Sequence, residues 1–419
     1  MTSARCVTLC ILLTACADEW GPATSDFATV RDSAGIVIVQ NHTAEWTLRE
    51  GWRVSPTPIL EIPDSALLGE GRYVIAGARL ASGGIVALTD AGGRLFGGDG
   101  AFQRPFARRG DGPGEFRYAR DLIVRPGDSI VVATMGKRGW FAPDGAFVRD
   151  EFVDQERLRT LGRWGECANR TLPDLSWIGC QDDPTIPTSA TNRPSRVNAD
   201  GWRSPGPGLL RRLNRLLLVP PSPDTAYRLG VDIGIEQQGI DNGTSGGTFV
   251  VHPFHARSAL AAGGTPLRIA SAMNPHWEIE VWSVTGTLER IIRLDGGRRA
   301  PTAAERSVAD SILRAPGSDI DAPDPVLRER MLKAIITPDS LPGHTQLLMT
   351  PDGEILSRQW SHFAAAPSVF DVFTAEGRWL GPLRFLPRFR VLEVGRDYVL
   401  GIQYDEDDVP TLQLFGLER

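Results

Sequence analysis

The chain has 419 residues with a formal net charge of −6, 45 glycines, 31 prolines and 42% hydrophobic residues. The length exceeds one small core, and its apolar segments are short and divided by turn residues, which excludes a helical bundle and points to an all-β protein. The acidic balance and scattered basic residues leave no footprint for nucleic acid, so no nucleic-acid partner is expected.

At the start, one basic residue precedes the apolar run Val7 to Leu13, which is far shorter than the roughly 20 residues that span a bilayer and therefore reads as an export signal. The run ends in Leu13-Thr14-Ala15-Cys16, which resembles the lipobox of bacterial lipoproteins. That resemblance implies a signal peptide over residues 1–15 and acylation, palmitate included, of Cys16. It also implies an outer-membrane lipid anchor on the periplasmic or cell-surface side, since Ala17 and Asp18 do not read as inner-membrane retention. An ordinary secretory peptide cleaved near Ala15 or Ala17 is the alternative. Residues 16–30 are small, polar and aperiodic, the composition of a flexible tether, and the folded part is expected over 31–419. With Cys6 and Cys10 in the signal, Cys167 and Cys180 remain as a pair; in an oxidising compartment they are expected to form a disulfide, two buried thiols being the alternative.

A short unit recurs along the folded part. Gly84 to Asp90 is a strand, followed by Gly93 to Phe96 and the turn Gly98-Asp99-Gly100; the order returns at Asp128 to Thr134, Gly139 to Phe141 and Pro143-Asp144-Gly145. It returns again at Gly353 to Ser357, Val369 to Phe373 and Ala375 to Leu380, with weaker copies of the turn at Ala199 to Trp202 and Val284 to Leu288. Asp-Gly and Glu-Gly supply the positive φ of a tight hairpin. Runs such as Ile85-Val86-Ala87-Leu88 and Ile130-Val131-Val132-Ala133 are apolar at every position, hence buried on both faces, and are read as the first strands of small sheets stacked around an axis.

The segment Arg109-Gly110-Asp111-Gly112-Pro113-Gly114-Glu115-Phe116, the opening Arg31 to Val39 and the ending Phe373 to Leu414 resemble NHL-like six-bladed β-propellers of bacterial exported proteins. The resemblance implies a six-bladed β-propeller over most of the chain from residue 31, closest to lipoproteins without an assigned activity; residues 160 to 250 match poorly. The Gly-rich run lacks the Lys-Ser/Thr of a phosphate loop and carries Pro113 where a backbone donor is needed, so it reads as a structural turn; the resemblance implies that the run links blades with Phe116 entering the core. Ring closure is expected from Ile36 to Val39 joining the blade of Tyr398 to Ile402 and Leu412 to Phe415, because an open propeller exposes its edges. A helical insertion is expected near 302–334. Thr302-Ala303-Ala304-Glu305 is a capping box leading into Arg306 to Arg314, and Asp324-Pro325 caps Val326 to Ala334; the pair is either a lid over the channel or an edge decoration.

No catalytic motif is present. Gly243 to Gly247 has loop composition, Arg211 to Arg215 reads as a solvated face, and Asp405 to Asp408 as a wet hairpin turn with calcium as the alternative. Of six histidines, His252 and His344 flank strands and are the candidates for a metal, calcium or zinc, at the channel mouth; His252-Pro253-Phe254-His255 is too short and Pro-broken to seat one metal with both rings. No cofactor is expected otherwise. The expected function is that of a monomeric, membrane-tethered, non-catalytic binding or scaffold propeller for a protein or glycan partner. A metal-dependent lactonase- or lyase-type enzyme with its site on the central channel is the alternative.

Overall fold

The computed structural model describes residues 23–47, 49–134, 136–153, 170–182, 208–210, 214–221, 226–232, 236–241, 247–255, 258–272, 277–316, 325–361 and 366–419. The expected lipid site Cys16, the signal peptide, Cys167, the turn at 199–202 and Arg211-Arg212 lie outside these residues. Strand pairing reaches back to Ala23 and Thr24, inside the 16–30 span.

Six four-stranded antiparallel meanders form a ring, the six-bladed β-propeller expected from the sequence. Blade 1 runs Val74–Arg79, Ile85–Thr89, Gly92–Phe96 and Phe102–Phe106; blade 2 runs Asp121–Val124, Ile130–Ala133, Lys137–Phe141 and Phe147–Phe152. Blade 3 uses Arg170–Thr171, Trp177–Asp182, Asn214–Val219 and Tyr227–Asp232, and blade 4 Ala259–Gly263, Arg268–Ala272, Glu278–Ser283 and Leu288–Leu294. Blade 5 comprises Gln346–Met349, Ile355–Arg358, Pro367–Phe373 and Trp379–Pro387, and blade 6 Phe389–Val394, Tyr398–Tyr404, Pro410–Glu418 and an N-terminal strand, Arg53–Ile62.

Two expectations are corrected by this topology. The wholly apolar runs Ile85 to Leu88 and Ile130 to Ala133 lie in second strands, each with a neighbour on both sides. Ile85, Val86, Ala87 and Leu88 are fully buried, as their composition requires, because blade packing covers both faces. The true first strands line the axis and need apolar residues only where they meet a neighbouring blade, so they carry a weaker signal. Closure is also made differently. Arg53–Ile62, not Ile36–Val39, pairs antiparallel with Pro410–Glu418, matching Leu412 to Ile62 and Leu414 to Leu60. Ile36–Asn41 instead adds in parallel to the outer strand of blade 4, with Val37 opposite Arg290 and Val39 opposite Ile292. Pro56 and Pro58 conceal the closing strand in the sequence, yet an outermost strand tolerates proline because one of its edges has no ladder to complete.

Between these two strands the N-terminal segment runs around the rim of blade 5 like a belt. Trp46 N–H donates to Leu380 O at 2.8 Å, and Glu45 pairs with Arg378 at 3.0 Å. Buried Asn41 pins the start: its Nδ2 donates to Arg293 O (3.1 Å) and Gly377 O (3.0 Å), and its Oδ1 accepts from Trp379 N–H (2.7 Å), joining blades 4 and 5. Gly381, at φ +149°, leaves room for the Trp46 ring, which a Cβ would meet at 2.2 Å.

In a four-stranded meander, blade-to-blade connections and second-to-third strand connections emerge on one face. All the inserted structure leaves from that face. Gly208–Leu210 interrupts blade 3, Gln237–Asp241 and Gly247–Val250 lie between blades 3 and 4, and helices Ala303–Arg314 and Pro325–Ala334 lie between blades 4 and 5. The three short strands form a sheet of their own, and Leu313 and Met331 of the helices pack with Ile240 and Val250 of that sheet. Gln238 joins sheet to helix, donating to Ala334 O at 2.5 Å and accepting from Ile336 N–H at 2.7 Å. The helices therefore belong to an accessory layer with its own small core, rather than lying flat on a blade edge. The capping box is present as expected, Thr302 and Glu305 exchanging side-chain to backbone bonds.

Candidate functional site

A cavity of about 760 Å³ opens at the axis, lined from blades 1, 2, 3, 5 and 6. Its lining residues sit where first strands begin and where the second strand of blade 5 ends, which places the cavity at the channel mouth on the face that carries the accessory layer. Among the described residues neither helix contributes to the lining.

Four arginines dominate the polar lining: Arg120, Arg170, Arg358 and Arg390. Two reach across a blade boundary to a backbone carbonyl: Arg390 Nη2 donates to Val74 O of blade 1 at 2.6 Å, and Arg170 Nη1 to Leu260 O of blade 4 at 3.2 Å. Arg358 Nη2 donates to Ser368 Oγ at 3.0 Å within blade 5. For Arg390 and Arg170 the bond to the carbonyl uses one of the five donors that a guanidinium carries. Arg390 Nε is buried without a hydrogen-bond partner. Among the described lining residues Asp121 is the one carboxylate. Its Oδ2 accepts from Thr171 N–H at 2.9 Å, tying blade 2 to blade 3, and burial raises its pKa against the opposing pull of that bond and of Arg170 and Arg120.

The sequence-predicted metal candidates lie elsewhere. His344 is fully buried, with Nδ1 at 2.6 Å from Ser357 Oγ and its ring centroid 4.5 Å from that of Trp277; burial lowers its pKa to about 3. His252 is buried beside Phe254, its Nδ1 accepting from Phe254 N–H at 3.0 Å; burial, then the nearby His255 and Arg306, lowers its pKa to about 4. Neither lines the mouth cavity. His255 Nδ1 accepts from His252 N–H at 2.9 Å, so the His-Pro-Phe-His segment is a self-bonded turn. Among the described residues no three His, Cys, Asp or Glu side chains converge as a metal site.

Two other sequence features have structural roles. Asp405 Oδ1 accepts from Asp407 N–H and Val409 N–H, both at 2.9 Å, which uses the acidic run to build its hairpin turn. In the Gly-rich run, Lys137 Nζ donates to Gly112 O (3.1 Å) and Glu115 O (2.9 Å) and pairs with Asp150 at 3.0 Å, while Phe116 is buried in the core as expected. Sequence reading missed the arginines because they lie far apart in the chain. The available signal was positional: Arg120, Arg170 and Arg390 all stand at or next to the start of a blade's first strand.

No family model and no curated protein matches the chain. Among solved structures it is similar to a protein described as exported from Bacteroides fragilis, at 10% identity over 91% of this chain and 99% of that one, with a TM-score of 0.44. It is similar to a member of the DUF4221 family from Bacteroides vulgatus, at 9% identity over 88% and 99% of the two chains, with a TM-score of 0.45. A gluconolactonase from Xanthomonas campestris matches at 12% identity over 87% and 100%, with a TM-score of 0.38.

Proposed function

We propose that this protein is an exported β-propeller that holds a glycan or protein ligand at its channel mouth without transforming it. The observation that carries the reading is the mouth cavity itself, about 760 Å³ and lined from five blades, within the size range of small-ligand sites. Arginine stays protonated and donates hydrogen bonds without exchanging protons, so a lining of arginines grips a ligand and moves no proton. Asp121, the lining carboxylate, is engaged by Thr171 N–H. The test is an array of glycans and peptides probed with the wild-type protein and with Gln346→Trp, which fills the mouth from the first strand of blade 5. A ligand bound by wild type, released unchanged and lost in Gln346→Trp is expected. Turnover of the ligand, or equal binding by the variant, overturns the reading.

The proposal extends to location. Cys16 carries the acyl chains after removal of residues 1–15 and holds a monomeric, NHL-like lipoprotein at the outer membrane. Cys16→Ser should then move from the membrane to the soluble fraction; an unchanged membrane fraction argues against the anchor. Cys180 is fully buried, which favours a permanent role for its sulfur, and we propose a Cys167–Cys180 disulfide. Peptide mapping without reductant should recover the linked pair, and two alkylatable thiols would refute it.

A further inference from the structure

The mouth has a chemical bias beyond its size. Among the described residues four guanidinium groups and one carboxylate line it, and the carboxylate serves a backbone bond between blades. Like charges gathered around a partly enclosed, low-dielectric space repel one another. Two of the arginines anchor neighbouring blades through backbone carbonyls, which are neutral acceptors, and Asp121 is the one described lining carboxylate that faces Arg170 and Arg120. Arg390 further keeps Nε buried and without a partner. Guanidinium forks match the planar, two-oxygen edge of carboxylates and the oxygens of phosphates, which they bind in pairs of parallel bonds. Arg120, Arg170 and Arg390 reach the space from blades 2, 3 and 6 and surround it rather than marking a single point, so one monovalent ion would not engage them all.

We infer that the mouth binds a small ligand carrying two or more carboxylate or phosphate groups. The inference rests on the proposed binding role of this same cavity and specifies the class of ligand.

The experiment is calorimetric titration of the purified full chain with trigalacturonate, inositol hexakisphosphate and maltotriose, repeated with Arg390→Gln and Arg120→Gln. Arg120 is exposed at the rim, so its variant tests charge without disturbing a blade contact. At least one acidic probe should bind, weakening with added salt and by about tenfold or more in Arg390→Gln, as expected for loss of charge-assisted bonds. Arg120→Gln should weaken it several-fold. Maltotriose should not bind. Binding of trigalacturonate alone identifies a carboxylate ligand, and of inositol hexakisphosphate alone a phosphate ligand. If neither acidic probe binds, or if both variants bind as wild type does, the inference fails. It fails alone if a neutral ligand binds wild type and is lost in Gln346→Trp; if no ligand is lost in Gln346→Trp, the proposed function fails with it.

Discussion

His344 and His252 are buried neutral, with pKa values lowered to about 3 and about 4, and Asp371 is buried with its carboxyl raised to about 6 by burial against the bonds from Gln359 and Trp379. These shifts have opposite consequences on acidification. An unfolded chain protonates its histidines near pH 6.5 while the folded chain does not, so below that pH each histidine costs about 1.4 kcal/mol per pH unit until its folded pKa is reached. Asp371 works the other way: between pH 6 and 3.8 the folded state holds the extra proton, and stability rises as pH falls. Asp371 therefore offsets one histidine. Asp371→Asn should steepen the fall in melting temperature between pH 6 and 4, and parallel curves for variant and wild type would show that the carboxyl does not titrate there. None of this was legible in the sequence, where His344 looked like a candidate ligand. Burial is a property of the ring of blades, and a single histidine beside a strand carries no sign of it. The mouth arginines were hidden for the same reason, since only the superposition of blades brings Arg120 and Arg390 to one cavity.

Short-range chemistry, by contrast, was readable element by element. Gly100, Gly145, Gly286, Gly353 and Gly377 all adopt positive φ in their hairpins, as the Asp-Gly, Glu-Gly and Thr-Gly turns demand. The capping box is similarly local: Arg299 beside Glu305 adds a charge-assisted bond that, with the Thr302 donors, holds the Glu305 carboxyl down to about 2. Thr302→Ala should cost about 1 kcal/mol, confined to helix Ala303–Arg314. Hydrogen exchange should quicken across that helix and in its partner strands Gln237–Asp241 and Gly247–Val250 while the blades stay protected; a uniform increase would mean that the accessory layer and propeller unfold as one unit. Local rules failed where two elements competed for one role. Ile36–Asn41 has the cleaner strand pattern, but Arg53–Ile62, with its two prolines, is the one that closes the ring, because the belt around blade 5 carries the chain that far before it enters blade 6.

Over the whole molecule, stability depends on that closure, since every blade packs on two others only when the ring is complete. Glu61 and Gln413 stand opposite each other on the closing pair, with their side chains 2.6 Å apart. Replacing both with cysteine should create a staple that raises stability by roughly 2–4 kcal/mol under oxidising conditions. The gain should vanish on adding reductant, and a melt unaffected by redox state would show that the ring fails first at another blade boundary. The closing pair also sets a schedule. The strand ending at Ile62 is made early, and its partner begins at Pro410, 348 residues later. At about 5–20 residues per second, synthesis leaves that early strand waiting roughly 20–70 s for its neighbour. Throughout that interval its open edge is available to any other chain, so the newborn protein needs a guardian, or a crossing of the membrane before folding, that the finished ring does not.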